Sequence, residues 1–133
     1  MDNFWADAEV IHAYTRKEAL ADGVLVDVTE TSEHKEAGFT MPVAVTRAVW
    51  ELVEPERMPA GQSVSGRLWD LLWMLRCGIR ASRGGGQLLH FKVIFGFEGP
   101  RGGYKQKTYT LKAMCGPGDD AEPVLTILLP EED

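Results

Sequence analysis

The sequence has little of what marks several common classes of protein. Only two cysteines are present, Cys77 and Cys115, which excludes a disulfide-rich scaffold. Neither cysteine has a second one at the spacing of a structural zinc site. The absence of any run of about 20 apolar residues excludes a transmembrane helix. Because the start of the chain has neither the basic nor the apolar region of a signal peptide, we expect a cytoplasmic protein with no membrane partner.

Recognisable catalytic and metal-binding motifs are also lacking. The chain has three histidines, His12, His34 and His90. Glu30 and His34 have the i, i+4 spacing of two ligands if that segment is helical, but catalytic zinc usually has three protein ligands and the spacing indicates no third. We therefore predict no metal, no cofactor and no catalytic residue. An enzyme with a cryptic site around Asp27, His12 or His90 remains an alternative.

Charge is distributed unevenly along the 133 residues, which have a net charge of −6. Residues 1–60 have a net charge of −7, residues 61–118 a net charge of +7, and residues 119–133 a net charge of −6. A basic middle therefore lies between two acidic ends. This pattern indicates an interaction surface, or acidic and basic parts that face each other within one fold.

The N-terminal half contains signals for three helices and one strand. Thr15-Arg-Lys-Glu18 matches a capping box and predicts a helix over about 15–22. Residues 24–28 are almost all aliphatic and predict a buried strand. The polar residues 29–38 predict a short exposed helix. The apolar spacing within 42–52 predicts a third helix that begins at Pro42.

The C-terminal half contains the clearest periodicity. Leucine and isoleucine recur at helical spacing within 64–82, which predicts a long helix with an apolar stripe facing a core. Aromatic and aliphatic residues alternate over 89–97 and predict a half-buried strand. Further strands are predicted over 104–114 and 124–129, with glycine-rich turns between them. The third of these strands is apolar throughout, which favours a central position in the sheet.

These elements predict one α+β domain over 1–133. Its N-terminal helices would pack on a C-terminal antiparallel three-stranded meander. The strand at 24–28 is a candidate for an extra strand of that sheet. The acidic tail at 130–133 is expected to be frayed.

One face of the long helix combines indoles with guanidinium groups. On a helical wheel, the residues within about 40° of Trp69 include Trp73, Arg76, Arg80 and Arg83. Tryptophan and arginine are favoured at protein interfaces, and both also bind nucleic acid, by base stacking and phosphate contacts. We predict that these five residues bind a partner. The alternative is that the indoles widen the core face while the arginines complement the helix dipole.

The hairpin after the long helix adds further basic residues. Arg101 lies at its predicted tip, and Lys105 and Lys107 share one face of the following strand. We include these three residues in the predicted partner-binding surface. Lysines on a strand also serve to block edge-to-edge aggregation, which is the alternative for this pair.

Three segments resemble a known family. They are Tyr14-Thr-Arg-Lys-Glu-Ala-Leu-Ala-Asp-Gly-Val-Leu-Val-Asp-Val-Thr-Glu30, Glu36-Ala-Gly-Phe and Pro42-Val-Ala-Val-Thr-Arg-Ala-Val-Trp50. Over about 10–55 the chain is similar to a family of small uncharacterised bacterial proteins encoded on plasmids, phages and other mobile elements. The family has no activity to transfer. Its genetic setting implies a non-enzymatic inhibitor of host defence, such as an anti-CRISPR or antirestriction protein.

Three functional hypotheses follow. In the first, the protein binds and inhibits a host protein or nucleoprotein complex, either through the Trp and Arg residues or by acidic ends that imitate phosphate. In the second, it is a nucleic-acid-binding accessory protein that uses the basic segment 61–118. The third is the enzyme with a cryptic site. The sequence leaves the oligomeric state open.

Overall fold

The computed structural model describes residues 14–82 and 86–133. Its class is α+β, as predicted, with helices packed on a five-stranded mixed sheet. The helices are α1 (Arg16–Ala21), α2 (Ser32–Glu36), α3 (Arg47–Val53) and α4 (Val64–Ser82). The strands are β1 (Leu25–Asp27), β2 (Val43–Thr46), β3 (Leu88–Glu98), β4 (Tyr104–Pro117) and β5 (Pro123–Leu128).

The sheet has the order β1-β2-β5-β4-β3. The predicted antiparallel meander of β3, β4 and β5 is confirmed. Strand β2 is parallel to β5 and antiparallel to β1. The 24–28 segment therefore does join the sheet, as an edge strand, and it is buried only in part, since Val24 is 51% exposed and Val28 1%.

The segment after Pro42 differs from its prediction. Residues 43–46 form the fully buried strand β2, and α3 begins only at Arg47. The helix is capped by Thr46, whose hydroxyl accepts a hydrogen bond from the Val49 amide at 3.3 Å. Strand β2 is stabilised by pairing with β5, about 80 residues later in the chain. Local periodicity does not contain that contact, and for this reason the helix prediction was wrong here.

The core lies between α4 and one face of the sheet. The leucine stripe of α4 is buried as predicted, with Leu71, Leu72 and Leu75 completely inaccessible. A Cβ atom at Gly78 would lie 3.2 Å from Cβ of Phe91, so the helix approaches β3 closely there. Strand β5 is central and is buried on both faces, as its apolar sequence predicts.

The acidic tail is not frayed at Glu132. Its carboxylate accepts hydrogen bonds from the Thr46 hydroxyl at 2.7 Å and from the Leu129 amide at 2.8 Å. The ammonium group of Lys112 donates to the Pro130 carbonyl at 3.1 Å and also to the carbonyl of Glu132. The tail is thus tied to the end of the sheet. None of the helices within 14–82 and 86–133 is long and apolar enough to cross a membrane.

Candidate functional site

Helix α4 positions the predicted partner-binding residues. Its first turn is capped by Ser63, whose hydroxyl accepts from the Gly66 amide at 3.0 Å. The helix runs antiparallel to β3, because Arg67 near its start contacts Gly96 and Gly78 near its end contacts Phe91. The buried stripe faces the sheet, so the opposite side of α4 faces outward.

Two indoles are stacked on the flank of α4, beside the buried stripe. The rings of Trp69 and Trp73 are nearly parallel, with centroids 5.3 Å apart and an angle of 9° between their planes. The guanidinium carbon of Arg76 lies 5.7 Å from the Trp73 ring centroid, and Arg80 is exposed. We call Trp69, Trp73, Arg76 and Arg80 the Trp–Arg face. Trp73 is 37% exposed, a large fraction for an indole in a small domain.

Arg76 also has a structural contact. Its Nη1 atom donates a 2.5 Å hydrogen bond to the carbonyl of Ala37, at the end of α2. The next residue, Gly38, has φ +88°, and a Cβ atom there would overlap the Arg76 guanidinium. Arg76 therefore joins the end of α2 to α4. Within 14–82 and 86–133 the guanidinium of Arg80 makes no such hydrogen bond to another element. Arg83, the fifth predicted residue of this row, lies outside the described residues.

The hairpin residues form a separate group. Arg101, Lys105 and Lys107 are all exposed, and Nζ of Lys107 lies 5.0 Å from the Tyr109 ring centroid. Because α4 and β3 are antiparallel, the hairpin tip lies beside the start of α4. Arg80 lies near the other end of the helix, about 20 Å farther along its axis. The predicted basic residues thus form two patches instead of one.

Sequence reasoning missed the most highly connected cation, Arg67. It is 6% exposed and its guanidinium carbon lies 4.4 Å from the Phe95 ring centroid. Its donors reach the Leu52 carbonyl at 2.7 and 2.9 Å, the Gln62 side chain at 2.6 Å and the Gly96 carbonyl at 2.8 Å. Burial lowers the pKa of this guanidinium. The helical wheel has no distinct signal for it, because Arg67 and Arg76 lie about 40° outside the leucine stripe on its two sides.

The residues of the enzymatic alternative are not brought together. Asp27 is on β1 and His90 is on β3, the two opposite edges of the sheet. Four strand spacings separate them, or about 19 Å. The Asp27 carboxylate accepts from the Thr29 amide at 3.0 Å and its hydroxyl at 2.6 Å, which is a turn contact. His12 lies outside the described residues, and within 14–82 and 86–133 no three metal-binding side chains form a cluster.

A cavity bordered by described residues lies on the opposite side of the sheet from α4. It has a volume of about 800 Å³ and lies beside α1 and the ends of β1 and β5. Arg16 reaches into it and donates to the Thr126 hydroxyl at 2.6 Å and the Leu125 carbonyl at 2.9 Å. Burial lowers the pKa of Arg16. The guanidinium of Arg16 thus already donates to the protein. None of Asp27, His34 and His90 lines the cavity.

Comparison with known proteins gives a family without an activity. The model of one family, described as a family of unknown function (DUF6573), matches residues 1–133. No curated protein and no solved structure matches the chain. The resemblance to a family of uncharacterised proteins is therefore confirmed, and it extends over the whole chain.

Proposed function

Since the chain belongs over its whole length to this family of unknown function, DUF6573, we propose a function from the surface of the molecule. The protein binds a macromolecular complex of a bacterial host through its Trp–Arg face and acts without chemistry of its own. We further propose that it is carried by mobile elements. In that setting the bound complex is a defence system of the CRISPR or restriction type, which the protein inhibits in the cytoplasm.

The observation that carries the proposal is the stacked pair of indoles on the flank of α4. Trp73 remains 37% exposed, whereas the leucines of the same helix are buried. Its stacking against Trp69 fixes its ring before any partner arrives, so little rotational freedom is lost on binding. Tryptophan and arginine are the residues that most often dominate binding energy at protein interfaces.

The charges of the face define its partner further. Arg80 and Arg76 follow Trp73 along the helix, and both are positively charged at neutral pH. An acidic protein surface or a nucleoprotein would complement them. The hairpin patch of Arg101, Lys105 and Lys107 lies near the other end of α4, where it would contact a second part of a large partner.

Two alternatives differ from this proposal in what binds or in which groups bind. Direct binding of nucleic acid by the basic segment predicts an affinity that falls steeply with salt concentration, in proportion to the number of phosphates contacted. Imitation of phosphate by the acidic ends would need free carboxylates. Two of these carboxylates, those of Asp119 and Glu132, already accept hydrogen bonds from within the protein, which favours the Trp–Arg face.

A capture experiment distinguishes these possibilities. The full chain is immobilised and exposed to a bacterial host lysate, with and without nuclease. The test variant is Trp73→Ala with Arg80→Glu. A matched control, Tyr14→Ala with Lys17→Glu, changes an exposed aromatic and an exposed cation at α1, on the opposite side of the sheet.

The proposal expects specific proteins to be captured by the wild type and the control, and lost in the Trp73 and Arg80 variant, whether or not nuclease is added. Loss of all capture after nuclease treatment would favour direct nucleic-acid binding. Capture that survives in the test variant would refute the Trp–Arg face. If capture survives in the test variant but is lost when the aspartates and glutamates of 119–133 are replaced, phosphate imitation gains support.

A further inference from the structure

Strand β3 forms one edge of the sheet and is unusually long for an edge strand. It spans eleven residues, Leu88–Glu98, and among the strands described within 14–82 and 86–133 it pairs only with β4, on its inner side. A long unpaired edge presents backbone donors and acceptors that another extended chain can use. The question is therefore which groups of β3 are free.

Two hydrogen bonds fix the orientation of its backbone groups. The Gly96 carbonyl accepts from Arg67, which lies outside the sheet, so it points away from β4. The Gln87 carbonyl accepts from the amide of Cys115 and points towards β4. In an antiparallel strand these directions alternate. The outward groups therefore belong to the even-numbered residues Leu88, His90, Lys92, Ile94 and Gly96.

Only the last of these positions is occupied. Arg67 uses the carbonyl of Gly96, whereas within 14–82 and 86–133 no side chain and no other strand bonds to the outward backbone of His90, Lys92 or Ile94. The available edge is thus about seven residues, from Leu88 to Ile94. This is the length of an ordinary β-strand.

The side chains around this edge are exposed and of two kinds. Leu88 is 52% exposed and Ile94 is 54% exposed, and they lie at the two ends of the free stretch. His90 and Lys92 are exposed between them. A groove of about 400 Å³ separates the Ile94 end of the edge from α4, with Trp73 and Met74 on its helix side. The edge therefore offers apolar contacts at its ends and, in its middle, the ammonium group of Lys92 beside the imidazole of His90.

We propose that the β3 edge from Leu88 to Ile94 binds one extended segment of a partner protein as a sixth strand. The side chains of that segment would be apolar opposite Leu88 and Ile94 and acidic opposite His90 and Lys92. Its alternate side chains would point towards the groove beside Trp73. Backbone hydrogen bonds would supply affinity, and the charges of the edge would select the sequence.

Charge disfavours a second copy of this chain as the occupant. In an antiparallel pair, the arrangement of a twofold dimer, side chains on one face meet opposite and diagonal neighbours. The register that pairs all four free positions puts Lys92 opposite His90 and diagonal to Lys92 of the other copy. The two ammonium groups repel each other there, and no carboxylate of the free stretch offsets them. Lysine in an edge strand is a common device against self-pairing, and an acidic strand removes the conflict.

The inference is independent of the proposed function, except that both assume a macromolecular partner. It is tested on the full chain with a synthetic probe, a capped and fluorescently labelled peptide Val-Thr-Glu-Thr-Glu-Thr-Val, whose valines and glutamates share one face of a strand and match the four free positions. A second peptide has lysine in place of glutamate. A third has the glutamate sequence with N-methyl groups on alternate backbone amides, which removes the donors needed for strand pairing.

The sharpest variant is Lys92→Pro. The Lys92 amide points outward, so proline there removes no hydrogen bond to β4 and is compatible with an edge strand. Lys92→Glu provides a second variant that keeps the backbone donor and reverses the charge. Both leave the Trp–Arg face unchanged, so their failure and the failure of the proposed function are distinguishable.

We expect saturable anisotropy binding of the glutamate peptide to the wild type, with affinity at least about tenfold weaker for the lysine and N-methyl peptides and for Lys92→Pro. Lys92→Glu should reverse the preference between the two charged peptides. Equal binding to the N-methyl peptide, equal binding by Lys92→Pro, or no binding of the glutamate peptide would overturn the inference. A wild-type dimer in sedimentation that Lys92→Pro dissociates would overturn it too, since the edge would then bind a second copy.

Discussion

The guanidinium of Arg67 donates a 2.8 Å hydrogen bond to the backbone carbonyl of Gly96. This contact joins the first turn of α4 to the end of β3. The same side chain donates to the Leu52 carbonyl just before the end of α3. One buried cation therefore holds two helices and an edge strand in register, and it positions both the Trp–Arg face and the free part of β3.

Removal of this cation should destabilise the whole domain. Arg67→Met keeps much of the apolar length of the side chain but leaves the carbonyls of Leu52 and Gly96 without their donor. We expect a loss of about 2–4 kcal/mol in the free energy of unfolding, because buried acceptors would lose hydrogen bonds to a charged group. Urea unfolding followed by circular dichroism measures it.

Arg80→Met is the matched control for this measurement. Arg80 is on the same helix and is exposed, so its replacement should change the free energy of unfolding by less than about 0.5 kcal/mol. Similar losses for the two variants would show that the buried contacts of Arg67 contribute no more to the free energy of unfolding than an exposed arginine does.

Substitutions at two glycines distinguish the free-energy cost of left-handed backbone from the cost of a steric clash. Gly102 has φ +81° with no atom near its Cβ position, so Gly102→Ala should cost only about 1 kcal/mol of unfolding free energy for its left-handed backbone. Gly38 has a similar φ but lies against Arg76. Gly38→Ala should therefore cost more, because it also displaces the bond from Arg76 to Ala37. Thermal unfolding of both variants checks this order, and equal losses would contradict the close approach.

The hydrogen bonds of the Asp119 carboxylate predict how the free energy of unfolding changes with pH. The amides of Arg16 and Lys17 donate to it at 2.9 Å each, and these bonds hold the pKa of Asp119 below its ordinary value. A lowered pKa in the folded state means that the stabilisation is complete above about pH 4, the ordinary value for aspartate, and is lost as the pH falls through the folded value.

Asp119→Ala should therefore be less stable than the wild type at pH 7, with the difference shrinking in acid. The measurement is urea unfolding of both proteins from pH 7 to about pH 3. Asp120→Ala changes the neighbouring exposed carboxylate and serves as control. A constant difference across this range for Asp119→Ala would be inconsistent with the contact to the start of α1.

Local signals in the sequence were sufficient for much of the fold. The capping box at Thr15, the leucine stripe of α4 and the alternation in β3 each depend on neighbours within one element. Strand β2 was missed because it is stabilised by β5, far away in sequence. In that segment the spacing of Val45, Val49 and Leu52 fits a helix equally well.

The candidate site was predictable to a smaller extent. Helical periodicity put Trp69 and Trp73 side by side, and the structure stacks them. It could not reveal that Arg76 bonds to Ala37, because that contact depends on where the chain brings α2. The separation of the hairpin from Arg80 depends on the antiparallel packing of α4 on β3, a tertiary fact absent from any local pattern.

The most direct test of the Trp–Arg face is site-specific photocrosslinking in bacterial host lysate. Cys77 is exposed on α4, one turn after Trp73, and can be labelled with a benzophenone maleimide in a Cys115→Ala background. The control is Lys17→Cys with both natural cysteines replaced, so that the label is on α1. The account predicts a discrete protein adduct from position 77, resistant to nuclease, and none from position 17. The same adducts from both positions, or none from position 77, would contradict it.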